Sequence, residues 1–327
     1  MEFHLEFNPK PFQKKIQHPD RLLLMGSCFT EQIGQKLDYH HFKTLQNPHG
    51  ILFNPFSIAT ALEEYMQLKQ YTRDDLFFDQ ELYGSWQHHT RFSAPEEDAC
   101  LGMINQSQKN AHQFLKSADW LLLTLGSAFI YRLMDGKVVA NCHKVPPDRF
   151  EKRLLKASEI VERYNELFKL LLSCNPYLQV IFTISPVRHL RDGFIENNRS
   201  KATLIEAVHT LTETWPMLQY FPAYELVIDD LRDYRFYAED MVHPNYAATQ
   251  YVWEKFIQTA IDKNATKTME TIASLMLARL HKPFHPQSEA HHRFMKARLE
   301  DATRLQEKNS YLNLKEMIDY FSLGLPK

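Results

Sequence analysis

Three runs along the chain are almost continuously apolar and end abruptly: Leu22-Leu23-Leu24-Met25, Trp120-Leu121-Leu122-Leu123-Thr124-Leu125 and Gln179-Val180-Ile181-Phe182-Thr183-Ile184. A strand covered on one face alternates apolar and polar positions, whereas a run without alternation predicts a strand buried on both faces. Shorter strands are predicted at Phe42 to Leu45 and Leu218 to Phe221. Between the strands, apolar residues recur at helical spacing over Glu31 to Leu37, Pro55 to Leu68, Pro95 to Leu115, Asp148 to Ser173, Asn197 to Trp215 and Pro244 to Ile261. Several of these segments open on a proline suited to a first helical turn. Strands that alternate with helices predict parallel crossovers, hence a three-layer α/β/α fold around a central, mostly parallel five-stranded sheet.

Two regions break the alternation. Tyr71 to Arg91 is aromatic and acidic, with Gly84 as a turn signal, and predicts an insertion around residues 71–94. From Asp262 the text becomes helical and polar, and His281-Lys282-Pro283-Phe284-His285-Pro286 separates one helix from the next. The expected organisation is an α/β domain over 1–262 and a C-terminal helical appendage over 263–327 packed on it.

Composition narrows the function classes. The 327 residues carry 38 Lys+Arg against 40 Asp+Glu, a formal charge of −2, so no general attraction to nucleic acid or anionic lipid is encoded. No window approaches the run of about 20 apolar residues that a membrane span needs. The N-terminus, Met1 to Glu6, lacks the basic and apolar regions of a signal peptide, so a cytoplasmic protein with neither nucleic-acid partner nor membrane span is expected. Cys28, Cys100, Cys142 and Cys174 are irregularly spaced and are read as reduced thiols.

Open parallel sheets bind ligands beyond the carboxyl ends of their strands, so strand-end residues are the candidates for chemistry. The chain has only nine Gly, and Gly26 and Gly126 stand directly after strong strands. Ser27 follows Gly26 and precedes a helix, where amide donors and the positive end of the helix dipole favour a nucleophile. The competing interpretation is that Ser27 or Thr30 is a helix cap. Near the end of the α/β region, Asp240 and His243 are three apart in a turn ahead of Pro244. There the carboxylate can accept the imidazole Nδ1 hydrogen and leave Nε2 free to take a serine proton. An Asp cap beside a surface His is the simpler alternative.

Taken together, a G-S-C-F-T strand end, a T-L-G strand end at Gly126 and D-M-V-H-P before the last core helix resemble the SGNH (GDSL-like) hydrolase superfamily and, within it, the GSCFA family. Asn47 to Pro55, Asn141 to Lys144, Ser185 to His189, Asn197 to Lys201 and Tyr220 to Glu225 carry the same resemblance, which spans roughly residues 1 to 260. It implies a flavodoxin-like SGNH hydrolase fold and a Ser27, Asp240, His243 catalytic set, with the Ser27 amide and Gly50 as oxyanion donors. It also implies cleavage or transfer of an ester-linked acyl group on a small-molecule ester or an acylated glycan, without metal or cofactor.

The chain departs from the superfamily pattern at its third block, where G-x-N is replaced by Gly126-Ser127-Ala128 and the Asn donor is missing. Loss of one oxyanion donor costs about 10²–10³ in rate. Asn54, Asn141 and His143 are candidates to fill the hole, each with a local turn or backbone role as the alternative. Ser127 stands within the block itself, and Arg188 and His189, just past a strand end, are candidates for substrate contact or a salt bridge. Cys28 is a weaker nucleophile candidate than Ser27, and Tyr83 and Trp86 are candidates for a lid. Two other functions compete: a non-catalytic ligand- or carbohydrate-binding module, and a metal-dependent phosphoesterase using histidines such as His49, for which no H-x-H, H-E-x-x-H or D-x-D spacing is present.

Overall fold

The computed structural model describes residues 5–323. In chain order the elements begin β1 (Arg21–Gly26), α1 (Cys28–Tyr39), β2 (Lys43–Gln46) and α2 (Pro55–Gln67). A short hairpin follows, β3 (Phe77–Asp79) and β4 (Leu82–Gly84), then α3 (Glu97–Leu115) and β5 (Trp120–Leu125). Next come β6 (Phe129–Leu133), β7 (Val138–Val139), β8 (Phe150–Leu154), α4 (Ala157–Cys174), β9 (Gln179–Ile184), α5 (Gly193–Thr214) and β10 (Leu218–Tyr220). A single turn, α6 (Ala223–Glu225), runs into a π-helical stretch at Leu226–Leu231, and the chain ends with α7 (Tyr246–Ala260), α8 (Lys263–Leu280), α9 (Glu289–Lys308) and α10 (Lys315–Leu323).

The central sheet has five strands in the order β10-β9-β5-β1-β2, and every neighbouring pair is parallel. Its continuous apolar strands are explained by the two cores they serve. Leu23 and Met25 of β1, Leu121, Leu123 and Leu125 of β5, and Phe182 of β9 face α2, α3, α4 and α5. Leu22, Leu24, Trp120, Leu122 and Ile181 face the opposite way, against α1, α7 and the start of α8. Successive residues of a strand point to opposite faces, so a strand between two helix layers must be apolar at every position.

The chain leaves β1 for β2 on one side and then crosses back to β5 on the other, which makes the β1/β5 boundary the point where the winding reverses. Crevices for ligands open beyond the carboxyl ends of strands at such a reversal. Gly26 closes β1 there with φ +144°, and a Cβ on it would lie 2.2 Å from the Thr124 carbonyl oxygen, so only glycine permits this approach of the two strand ends.

The structure departs from the sequence expectation in two places. Asp148 to Ser173 is not one helix: residues 150–154 pair antiparallel with β6, Phe150 opposite Leu133 and Leu154 opposite Phe129, and the helix starts only at Ala157. Spacing of four between Phe150 and Leu154 suits a helix face and a strand face alike, and pairing with β6 decides it. In the insertion, the hairpin turn lies at Gln80 and Glu81, both with positive φ, whereas Gly84 closes the second strand. Trp86 stacks on Phe77 at 4.0 Å and packs edge-on against Phe150, which ties the insertion to the β6–β7–β8 sheet.

The C-terminal helices bury an apolar cluster of their own, including Ile272, Leu275, Met295, Leu305 and Phe321, while Ala265 and Met269 at the start of α8 pack into the main core. Among the described residues no helix is long and apolar enough to cross a membrane.

Candidate active site

Ser27 sits between β1 and α1 and is fully buried. Its N–H donates to Thr124 O at a long 3.2 Å, and its carbonyl accepts the Thr30 N–H at 2.8 Å. Its hydroxyl does not cap α1, and Oγ has no hydrogen-bond partner among the described residues. A buried hydroxyl left unpaired costs about 1–3 kcal/mol, so the cap interpretation does not account for the serine. The preceding glycine is fixed by Asn47, whose Oδ1 accepts the Gly26 N–H at 2.8 Å.

Asp240 and His243 form the local pair that their spacing predicts. The imidazole Nδ1 lies 2.6 Å from Asp240 Oδ2, and Asp240 Oδ1 accepts the backbone N–H groups of Val242 at 2.9 Å and His243 at 3.0 Å. The backbone bond from His243, then its imidazole, then the Val242 bond hold the Asp240 carboxyl down at about 2. The loop is tied to the end of β9 by Arg188. The Arg188 N–H donates to Val242 O at 3.2 Å, its Nη1 donates to Met241 O at 3.4 Å, and its guanidinium lies 4.0 Å from the Tyr237 ring. Both side chains of the pair are nearly half exposed, and His243 makes no hydrogen bond to Ser27 in this conformation.

A cavity of about 460 Å³ opens beside Gly126, with Asn54, Ser127, Asn141, His143 and His189 in its lining. Its apolar wall comes from Phe53 and from Phe129, Tyr131 and Phe150 of the β6–β7–β8 sheet. The polar candidates divide sharply once their bonds are followed. Asn54 caps α2: Oδ1 accepts the Ser57 N–H at 2.8 Å and Nδ2 donates to Ser57 Oγ at 2.9 Å. Ser127 Oγ accepts the Phe129 N–H at 3.1 Å and meets Ser200 Oγ at 3.3 Å. Asn141 Oδ1 accepts the His143 N–H at 2.8 Å, and His143 Nε2 bonds Ser85 O at 2.8 Å.

Gly50 stands apart from the cavity. It lies beneath His89 rather than on the cavity wall, and its N–H donates to Asn47 O at 2.7 Å, so the amide expected to hold an oxyanion is already satisfied. Arg188 likewise does not line the cavity and secures the Asp240–His243 loop. Burial raises the Cys28 thiol above its ordinary value, which is opposite to what a thiolate nucleophile needs. The cysteines are all unpaired. Among the described residues no group of three or more His, Cys, Asp or Glu is arranged to hold a metal ion.

One residue escaped sequence reasoning. Lys201 of α5 is buried at 1% exposure, and its Nζ donates to Gly126 O and to Ser185 O, each at 2.7 Å. Burial brings its ammonium down to about 7. The signal was present in the text: the buried stripe of α5 is Asn197, Ser200, Lys201, Leu204, Ala207, Val208 and Leu211, so its first turns place polar residues on the core face.

The model of the GSCFA family matches residues 21–256, and the model described as GSCFA domain protein, C-terminal domain, matches residues 272–326. No curated protein matches the chain. Solved structures similar to it include a Streptococcus pneumonia protein named for platelet activating factor, at 12% identity and TM-score 0.40 over 73% of this chain and 82% of that one. A carbohydrate esterase family 3 from Talaromyces cellulolyticus aligns at 10% identity and TM-score 0.34, over 78% of this chain and 99% of its own. A mutant acetyl esterase with acetate ion aligns over the same shares at 9% identity and TM-score 0.34.

Proposed function

The chain belongs to the GSCFA family, and from that premise we propose that it is a serine hydrolase of SGNH type that cleaves or transfers an ester-linked acyl group. The observation that carries this reading is the Asp240–His243 hydrogen bond of 2.6 Å, anchored by Arg188 to the same end of the sheet at which the unpaired Ser27 hydroxyl lies. In the proposed cycle His243 Nε2 takes the Ser27 proton as Oγ bonds to the ester carbonyl carbon. The amino end of α1 faces the oxygen on which charge develops, and the Ser27 N–H reaches that oxygen by leaving its long 3.2 Å bond to Thr124 O. Collapse breaks the bond to the leaving alcohol, which takes the proton from His243. Water or an acceptor hydroxyl, deprotonated by His243, then releases the acyl group and returns the proton to Ser27. Asp240 holds the imidazole in the tautomer that leaves Nε2 unprotonated.

The missing Ser27–His243 bond favours a second reading, a binding module on a hydrolase fold. Catalytic hydrogen bonds are often open before substrate arrives, so the geometry is compatible with the first reading as well. Hydrolysis of p-nitrophenyl acetate separates the two. The hydrolase reading expects turnover in the wild type that Ser27→Ala and His243→Ala each abolish, and equal rates in all three proteins would leave the binding reading standing.

A further inference from the structure

Most other groups assigned by sequence to oxyanion or substrate contact already spend a donor on the protein: the Ser27 N–H on Thr124 O, the Gly50 N–H on Asn47 O, Asn54 Nδ2 on Ser57 Oγ, His143 Nε2 on Ser85 O and Arg188 Nη1 on Met241 O, while Asn141 accepts the His143 N–H through Oδ1. His189 differs. Its Nε2 is buried and has no hydrogen-bond partner, and the residue lines the cavity. A Cβ on Gly126 would stand 3.2 Å from that nitrogen, so Nε2 lies over the strand end where the family block lacks its Asn. The ring is held in place by an edge-on contact with Phe53 at 5.3 Å, and Asn197 Oδ1 accepts the His189 backbone N–H at 2.9 Å.

We propose that His189, through its Nε2–H, is the side-chain oxyanion donor that this chain lacks at Ala128. The inference rests on the serine-hydrolase reading and adds a catalytic residue to it. Lys201 joins the carbonyls of Gly126, under the His189 ring, and Ser185, which begins the segment carrying His189. Burial, then the Lys201 charge, then that of His243 hold the His189 imidazole at about 4, so it is neutral at ordinary pH. A neutral imidazole donates a hydrogen bond to a developing anion without itself becoming a competing acid, the arrangement known from another enzyme's carbonyl-polarising histidine.

The test measures kcat and KM with p-nitrophenyl acetate, together with the rate at which a fluorophosphonate labels Ser27, in the wild type, His189→Phe and His189→Gln. Phe keeps a ring against Phe53 and loses the donor; Gln places an N–H near the position of Nε2 and loses the ring. The expected result is a fall of about 10²-fold in kcat and labelling rate for His189→Phe with KM within about threefold, and retention within about tenfold for His189→Gln. Should His189→Phe fail to fold, His189→Leu is read in its place. A loss smaller than about tenfold without the donor, or a Gln variant no faster than the Phe variant, overturns the inference while leaving the hydrolase reading intact. Absence of labelling and turnover in folded wild type overturns both.

Discussion

The two halves of the candidate site are built in opposite ways. At the strand ends, Ser27, Gly126, His189 and Lys201 are placed by the sheet and by α5, packed by distant segments, and left with unpaired polar atoms at Ser27 Oγ and His189 Nε2. In the loop before α7, Asp240 and His243 satisfy one another across three residues and stand nearly half exposed. The first half depends on the whole fold for its geometry, and the second is assembled by a few adjacent residues and then docked through Arg188. Substitutions that disturb packing at the strand ends should therefore damage stability together with activity, and those in the loop should damage activity alone.

The sharpest way to break that contrast is at Gly26. A methyl group there meets the Thr124 carbonyl at 2.2 Å on a backbone with φ +144°, so Gly26→Ala should lower unfolding free energy by about 3 kcal/mol or more. Urea denaturation measures it, and a loss below about 1 kcal/mol would mean that the strand ends are not closed as described. In the loop, Asp240→Asn should reduce kcat by about 10⁴-fold through the wrong imidazole tautomer, with a melting temperature within about 2 °C of wild type because the pair is exposed. A coupled fall in stability would place the pair in the folded core after all.

Smaller effects refine the docking. Arg188→Ala removes the bond to Met241 O and the contact with Tyr237 but keeps the backbone bond to Val242. It should lower kcat by about tenfold and speed amide exchange in residues 238–243, a change that hydrogen exchange with mass spectrometry resolves. Cys28→Ala should change kcat by less than about threefold, since burial raises that thiol. A hundredfold loss would return Cys28 to contention as nucleophile.

How much of this was legible in the sequence follows the same division. Runs apolar at every position announced the strands β1, β5 and β9 because a sheet covered on both faces leaves no polar position to read. The Asp240–His243 pair was visible because its partners are three residues apart. The cavity wall was not, because β8 hides in a spacing that also suits a helix and only its pairing with β6 reveals it. Gly50 stood in a motif whose backbone partner, Asn47, sequence cannot assign. Lys201 was written on the core face of α5, yet the carbonyls it bonds belong to residues 75 and 16 positions away.

The measurement closest to the central claim is fluorophosphonate labelling of the folded protein with the modified peptide located by mass spectrometry. The account predicts one adduct, on Ser27, that disappears in Ser27→Ala and forms far more slowly in His243→Ala. A folded protein that takes no label, or takes it at another residue, contradicts the account.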